Sequence, residues 1–249
     1  MNQVKLVDVD AYLFGLAEAQ KSASVLVLRA MAVRGFLKFL AAEGILSKDL
    51  SPWVQGPRSY RDATVPPHFT WPELEQLCSS ITGEDPLCLR DLAMLAVLCA
   101  YGLRSQEVAG LTLDCIDWVH DRLLILRRKN DRPLVLPLTD GVKIALQQYL
   151  KNRLSTAHQE VFLSRRGQPL CSAQISRRLR VLAKRAGLPE GRGAHAIRRA
   201  VGTRLVEQDW GLGQVALVLG QGSIDSARIY LRISSQLLRD VALNYGELL

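Results

Sequence analysis

Four side chains near the C-terminal end of the sequence have the types and spacing needed for phosphate chemistry. His195 and Arg198 are three residues apart, so a helix would place them on one face. Gln221 stands in a Gly-Gln-Gly break after an amphipathic run, and Tyr230 follows it. An arginine can hold a phosphate through two parallel hydrogen bonds, and a phenol can attack phosphorus and remain attached. These residues predict a site for phosphoryl transfer.

Composition and charge limit the classes of protein to which the chain could belong. The 249 residues are 48% hydrophobic and 22% charged, which is typical of a folded globular protein. The net charge of +8 and the pI of about 9.5 favour an anionic partner, with nucleic acid first among the candidates.

Targeting and metal-binding signals are not found in the sequence. The N-terminus lacks the basic and then apolar layout of a signal peptide, and the longest apolar run, residues 92–103, is too short to span a membrane. It predicts a buried helix. The five cysteines form no Cys-x-x-Cys pair, and the four histidines show no zinc spacing. We therefore expect a cytoplasmic protein with reduced thiols, without a metal, a cofactor or a membrane anchor.

The first quarter of the chain predicts two helices and a linker. Apolar residues recur at helical spacing over residues 8–46. Residues 51–67 then form a linker rich in proline, with Arg58 and Arg61 between the prolines. These two arginines could follow a phosphate backbone or could simply be solvated, and we weigh the two alternatives equally.

The rest of the chain predicts a mainly helical fold with a small antiparallel sheet, of the α+β class. Thr70 and Glu73 have the spacing of a capping box, and further helices are predicted over residues 85–103, from Gly102 to Leu113 and over residues 141–154. Residues 122–127 and 133–137 predict a β-hairpin with a basic turn, and residues 161–163 a short strand. The remainder is predicted to be helical.

Positive charge is dense between residues 165 and 204 and predicts a surface that binds phosphate groups, although some arginines will lie on solvated helix faces. Together with the hairpin turn and the linker, this pattern gives the candidate DNA-binding residues, which are Arg58, Arg61, Arg127, Arg128, Arg177, Arg178 and Arg180.

The order of these motifs resembles the tyrosine recombinases, the family of phage integrases and Xer-type resolvases. The resemblance is carried by Gly102-Leu-Arg104-x-x-Glu107, Lys129 in a hairpin turn, His195-x-x-Arg198, Leu219-Gly-x-x-Ser and a following Tyr230. It extends from about residue 68 to the end. Each motif alone has an ordinary structural explanation, such as a surface ion pair between Arg104 and Glu107 or a half-buried tyrosine. The motifs gain force from occurring together in this order.

The resemblance implies a role for each of these residues. Arg104 and Arg198 would hold the scissile phosphate, and Tyr230 would attack phosphorus to give a 3′-phosphotyrosyl link. Lys129 would protonate the leaving 5′ oxygen, and His195 would accept or position the tyrosine proton. Glu107 would support Arg104. The reaction needs neither ATP nor a metal, since the covalent link conserves the phosphodiester energy.

The sequence departs from the family pattern at two points. Gln221 occupies the position where the family usually has histidine or tryptophan, and an amide hydrogen-bonds a phosphate but does not exchange a proton at neutral pH. In addition, residues 1–50 supply only part of the usual helical DNA-clamping domain, ahead of the linker and of a catalytic domain over residues 68–249.

The resemblance also implies partners. We expect double-stranded DNA in the nucleoid and a homotetramer joined through a tail helix, residues 235–249, although that helix could instead pack on its own domain. The alternatives to a site-specific recombinase are a non-catalytic DNA-binding protein on the same fold and a type IB topoisomerase-like enzyme that relaxes DNA.

Overall fold

The computed structural model of the chain describes residues 4–19, 23–55, 66–126, 133–221, 229, 230 and 233. Its contacts divide the chain into two units, Met1–Thr64 and Val65–Leu249. Within the described ranges, no helix has the length and the apolar character needed to cross a membrane.

The first unit is a pair of helices followed by a short turn. Helices α1 (Leu6–Glu18) and α2 (Ala23–Ala42) confirm the prediction of two helices over residues 8–46, and Ser51–Trp53 forms a 3-10 turn. Arg34 secures this turn by donating from Nε and Nη2 to the Val54 carbonyl oxygen at 2.9 and 2.6 Å. The core between these elements is small, because two helices enclose little volume, and Phe14, Leu28, Phe36 and Phe39 are exposed.

The second unit is built around a helix that is buried along most of its length. Helices α3 (Trp71–Ser79), α4 (Pro86–Tyr101) and α5 (Ser105–Ala109) open it, and α4 packs against α6 (Asp140–Lys151) and α8 (Ala194–Glu207). Helices α7 (Ser172–Arg185) and α9 (Leu212–Val218) complete the helical set of the described part of the chain. The apolar run that predicted a buried helix lies in α4, where Met94, Leu95 and Leu98 have no exposed surface.

Local capping residues set the ends of α3 and α4. Thr70 and Glu73 form the predicted capping box at the start of α3. The Asp85 carboxylate accepts hydrogen bonds from the backbone N–H groups of Leu87 and Cys88 and so begins α4. Gly102 ends α4 with a left-handed φ of 59°, a conformation that a residue with a Cβ adopts at a cost.

A three-stranded antiparallel sheet packs against these helices, in the order β1 (Ile116–Asp117), β2 (Arg122–Ile125) and β3 (Leu134–Pro137). The pairing of β2 with β3 confirms the predicted hairpin strands, with Ile125 opposite Leu134. The sequence did not predict β1, since two residues carry no periodic signal. The predicted strand over residues 161–163 is wrong: isolated bridges join Thr112 to Glu160 and Leu163 to Pro169. The three residues are buried in the core, so burial in a loop, rather than a strand, accounts for their apolar character.

Three predicted helices end earlier in the structure than the sequence indicated. The first stops at Tyr101, because Gly102 caps it, rather than at residue 103. The second stops at Ala109, after which Leu113–Cys115 forms a separate 3-10 turn. The third runs over Asp140–Lys151 and does not reach residue 154.

A buried carboxylate ties α4 to α7. Asp91 has no exposed surface, and its Oδ1 accepts hydrogen bonds from Nε and Nη2 of Arg90 at 3.1 and 2.7 Å. Its Oδ2 accepts from Nε of Arg178 at 2.7 Å. Because a buried charge is costly unless it is paired, this arrangement fixes the two helices with respect to each other.

Candidate active site

Helix α8 presents several polar side chains and one glycine towards the same region. Arg198 and Arg199 lie three and four residues after His195, and Gly202 lies four and three residues after them, so all four line one face of the helix. His195 is exposed, Arg199 is half-buried, and Arg198 is only 5% exposed. The sequence predicted that a helix would place His195 and Arg198 on one face, and α8 confirms this.

Backbone carbonyls hold the Arg198 guanidinium in place. Its Nη1 donates to the Gly102 carbonyl oxygen at 2.7 Å, and its Nη2 donates to the Leu219 carbonyl oxygen. Burial lowers the pKa of Arg198, and the positive charge of Arg104 lowers it further. These contacts orient the cation while leaving other N–H groups of the guanidinium available.

Gly102 serves the site through its lack of a side chain. A Cβ at this position would lie 2.7 Å from Cδ2 of Leu219, closer than real Cβ contacts allow. The backbone can therefore pass near Leu219 and offer its carbonyl to Arg198. The left-handed φ noted above adds a second reason for glycine here.

Arg104 approaches the same loop from the start of α5. Its Nη1 donates to Oε1 of Glu107 at 3.0 Å, and its Nη2 donates to the Gly220 carbonyl oxygen at 3.2 Å. The other carboxylate oxygen of Glu107 accepts from the Arg104 backbone N–H at 2.8 Å. Glu107 thus contacts Arg104 as the sequence suggested, and its own side chain is only 8% exposed.

Tyr230 is buried in a small apolar cluster beside α8. It packs with Val201, Val215 and Leu219, and it is 2% exposed. Its ring lies directly over Gly202, where an added Cβ would be only 2.6 Å from a ring carbon. Burial raises the pKa of Tyr230, while Arg198 opposes that rise by favouring the phenolate.

Gln221 contacts the tyrosine hydroxyl directly. Its Nε2 lies 2.6 Å from the Tyr230 oxygen and donates to it, which also favours the phenolate. Its Oε1 is buried, and among the described residues it has no hydrogen-bond partner. Gln221 is therefore positioned at the Tyr230 hydroxyl, with one end of its amide still able to form a bond.

His195 is surrounded by cations. Although the residue has exposed surface, its ring is partly desolvated, which lowers the pKa of the imidazole, and the charges of Arg199, Arg198 and Arg104 lower it further, in that order of importance. All of these effects favour the neutral ring, which can accept a proton.

The structure brings Arg104, His195, Arg198, Gln221 and Tyr230 into one region. Lys129, the predicted general acid, lies outside the described residues, as do Arg58, Arg61, Arg127, Arg128 and the predicted tail helix over residues 235–249. Among the described side chains, no group of three or more His, Cys, Asp or Glu residues is placed to hold a metal ion.

The described candidates for DNA contact lie on α7 and differ in their surroundings. Arg177 and Arg180 are exposed. Arg178 is half-buried and pairs with Asp91 through Nη2 at 2.5 Å as well as through Nε. The contact of Arg178 with DNA stays a prediction, and in the structure its guanidinium already pairs with the Asp91 carboxylate.

Sequence reasoning missed two features of the site. Gly202, against which the Tyr230 ring packs, could have been noticed, because glycine inside a helix costs stability and usually has a packing reason. Arg199 had no distinguishing signal, since it is one of many arginines between residues 165 and 204.

Known proteins with similar sequences point to one family. Residues 68–236 match the phage integrase family. A Sinorhizobium fredii protein named as an integrase/recombinase is 32% identical over 219 residues, which cover 86% of this chain and 52% of that protein. Tyrosine recombinase XerD of Halalkalibacterium halodurans is 30% identical over 237 residues, which cover 92% of this chain and 78% of that protein. The chain therefore spans about half of the first relative and most of the second.

Solved structures show the same fold. The XerH site-specific recombinase bound to its difH substrate, in a pre-cleavage complex, superimposes with a TM-score of 0.74 at 20% identity. The match covers 93% of this chain and 68% of that one. With the family match and the XerD similarity, the conclusion is that the chain belongs to the phage integrase family of tyrosine site-specific recombinases.

Proposed function

We propose that this chain cleaves and rejoins double-stranded DNA at specific sites, with Tyr230 as the nucleophile. The observation that carries the proposal is the placement of the Tyr230 phenol beside Arg198 and Gln221, inside a site with a second arginine at its edge. A buried tyrosine with only a structural role needs one partner for its hydroxyl, whereas Tyr230 has both the Gln221 amide and a cationic guanidinium beside it, and the cation favours the phenolate.

The cleavage step follows from this arrangement. The Tyr230 oxygen attacks phosphorus, the bond between phosphorus and the 5′ oxygen breaks, and a 3′-phosphotyrosyl link forms. Arg104 and Arg198 stabilise the added negative charge of the transition state. Because a guanidinium has five N–H groups, each arginine can keep its carbonyl partners and still bind the non-bridging oxygens.

Two proton transfers complete the step. The phenol proton passes to His195, whose neutral ring can accept it. Lys129 donates a proton to the leaving 5′ oxygen. Attack of a 5′-hydroxyl from a partner strand then reverses the chemistry and joins the exchanged strands.

Gln221 can connect the nucleophile with the phosphate. Its 2.6 Å separation from the Tyr230 oxygen is short for an N–H···O bond and ordinary for an O–H···O bond. If the amide turns over, which preserves its shape, Oε1 accepts a hydrogen bond from the phenol O–H before cleavage, and the NH₂ group occupies the position that has no partner. A non-bridging phosphate oxygen would supply that partner, so the amide would hold phenol and phosphate together.

Binding to DNA would use more of the chain than this site. We propose that the duplex is contacted by the helices within residues 1–50, by Arg177 and Arg180 on α7, and by Arg58, Arg61, Arg127, Arg128 and Arg178. The chain would act on DNA in the cytoplasm as a homotetramer joined through residues 235–249.

A covalent adduct between protein and DNA tests the proposal. Duplexes that carry the DNA flanking the protein's own gene, with nicks that trap cleavage, would be incubated with the wild type and with Tyr230→Phe in the absence of metal. Tyr12→Phe is the matched control, because its phenol is exposed in the first unit. We expect a protease-sensitive adduct with the wild type and Tyr12→Phe, and none with Tyr230→Phe. Firm DNA binding without an adduct would instead indicate a non-catalytic DNA-binding protein.

A further inference from the structure

Arg199 joins the helix of the site to the segment that leads into the second unit. Its Nη1 donates to the Pro67 carbonyl oxygen at 2.6 Å. Pro67 belongs to residues 66–70, which have no regular secondary structure and immediately precede α3. We call residues 66–73 the lead-in segment.

Two other arginines also hold the lead-in segment. Arg192 donates from Nη1 to both carboxylate oxygens of Glu73, at 2.6 and 2.7 Å. The Arg204 guanidinium lies over the Trp71 ring, 3.7 Å from its centroid. Three arginines of the densely charged region that predicted a phosphate-binding surface therefore make contacts within the protein.

Arg199 differs from these two arginines because it lies on the site face of α8. It follows His195 by four residues, a spacing that places the two Cβ atoms about 5–6 Å apart. Its guanidinium is half-buried, and an anionic Tyr230 would raise its pKa, which places the charge within electrostatic reach of the nucleophile.

We propose that Arg199 is a positioning residue for DNA cleavage, held by the Pro67 carbonyl so that its charge is fixed one helical turn from the His195 imidazole. This inference rests on the proposed function of the site. Burial lowers the pKa of His195, and Arg199 contributes the largest further reduction among the neighbouring charges, ahead of Arg198 and Arg104. The fixed charge keeps the imidazole neutral, so that it can accept the proton of Tyr230.

The tests are three single variants in the full chain. Arg199→Gln removes the charge but keeps an N–H donor for the Pro67 carbonyl. Arg199→Lys keeps both the charge and a donor. Arg204→Gln is the matched control, since it removes an arginine of the lead-in contacts that is not among the charges lowering the pKa of His195.

The first measurement is an NMR titration of the histidine rings, with the His195 signal assigned from its loss in His195→Gln. We expect the pKa of His195 to rise in Arg199→Gln and to stay near the wild-type value in Arg199→Lys and Arg204→Gln. The second measurement is the rate of adduct formation against pH. Its acid limb should move to higher pH in Arg199→Gln alone, because cleavage requires neutral His195.

The outcomes separate this inference from the proposed function. An unchanged pKa of His195 in Arg199→Gln would overturn the role of Arg199, whether or not the wild type forms an adduct. Equal loss of activity in Arg199→Gln and Arg204→Gln at every pH would show that both arginines serve only to hold the lead-in segment. A shifted pKa in a protein that forms no adduct would support the electrostatic role and reject the cleavage chemistry.

Discussion

Replacement of Gly202 by alanine should separate correct folding from correct placement of Tyr230, the proposed nucleophile. A Cβ at this position would lie 2.6–2.7 Å from three ring carbons of Tyr230. Carbon atoms in ordinary contact are about 3.5–4.0 Å apart, so the ring must move by roughly 1 Å. Such a shift would break the 2.6 Å contact between the hydroxyl and Gln221. Because a misplacement of about 1 Å can cost about 100-fold in rate, we expect adduct formation to slow by about that factor.

The same substitution has a predictable effect on stability. Overpacking should lower the free energy of unfolding by about 1–3 kcal/mol. In a Tyr230→Ala background the clash disappears, and the better helix propensity of alanine should instead raise the free energy of unfolding by up to about 1 kcal/mol. The reversal of sign ties the cost to the tyrosine ring.

Trapped-adduct kinetics and urea unfolding would measure these effects, with Gly213→Ala as the matched control. A Cβ at Gly213, within the helix that packs beside Tyr230, meets nothing within 4 Å. This control should cleave like the wild type, and the better helix propensity of alanine should leave its free energy of unfolding unchanged or raised by up to about 1 kcal/mol. Cleavage by Gly202→Ala at the wild-type rate, or an equal loss of stability with and without the tyrosine ring, would refute the proposed placement.

Three further substitutions test other parts of the structure. Gln221→His adds a group that titrates near pH ~6.5, so the rate of adduct formation should gain a pH-dependent limb, whereas an unchanged profile would place residue 221 away from the reacting groups. Asp91→Asn leaves two arginines without their buried carboxylate and should cost about 3–5 kcal/mol in urea unfolding, and a loss below about 1 kcal/mol would contradict the pairing. Burial raises the pKa of Glu73, but a backbone hydrogen bond and Arg192 lower it more, so its net pKa is below the usual value. A carboxyl group whose pKa is lower in the folded than in the unfolded protein contributes stability at pH values above the unfolded pKa. That contribution is lost as the pH falls through the folded pKa. Glu73→Gln should therefore lose less stability than the wild type between pH ~7 and ~3, and equal losses would argue against this ion pair.

The parts of the fold that the sequence predicted well are those with local causes. The capping box of Thr70 and Glu73 depends on residues three apart, and the hairpin strands depend on a local change of period. The strand predicted over residues 161–163 failed for the opposite reason. A short apolar run fits a strand or a buried loop equally well, and only the packed core decides between them.

The same division applies to the site. The residue types and order made the arginines, His195 and Tyr230 candidates, because their chemistry is visible in the sequence, and the structure brings them into one region. The partners that orient them were not visible: Arg198 binds the carbonyl of Gly102, 96 residues away, and Arg199 that of Pro67, 132 residues away. Any residue has a backbone carbonyl, so no residue type marks such a partner.

The choice of carbonyls as partners has a consequence for function. Arg198 is buried and donates to two backbone carbonyls, while the carboxylate of Glu107 binds Arg104 and its negative charge also raises the pKa of Arg198. Carbonyl dipoles orient a cation without neutralising it, so the site retains an excess of positive charge. That charge lowers the pKa of His195 and favours the phenolate of Tyr230. It would also attract an anionic phosphate. In the proposed function, binding of the phosphate and activation of Tyr230 are then two effects of one set of charges, and further carboxylates beside these arginines would have weakened both.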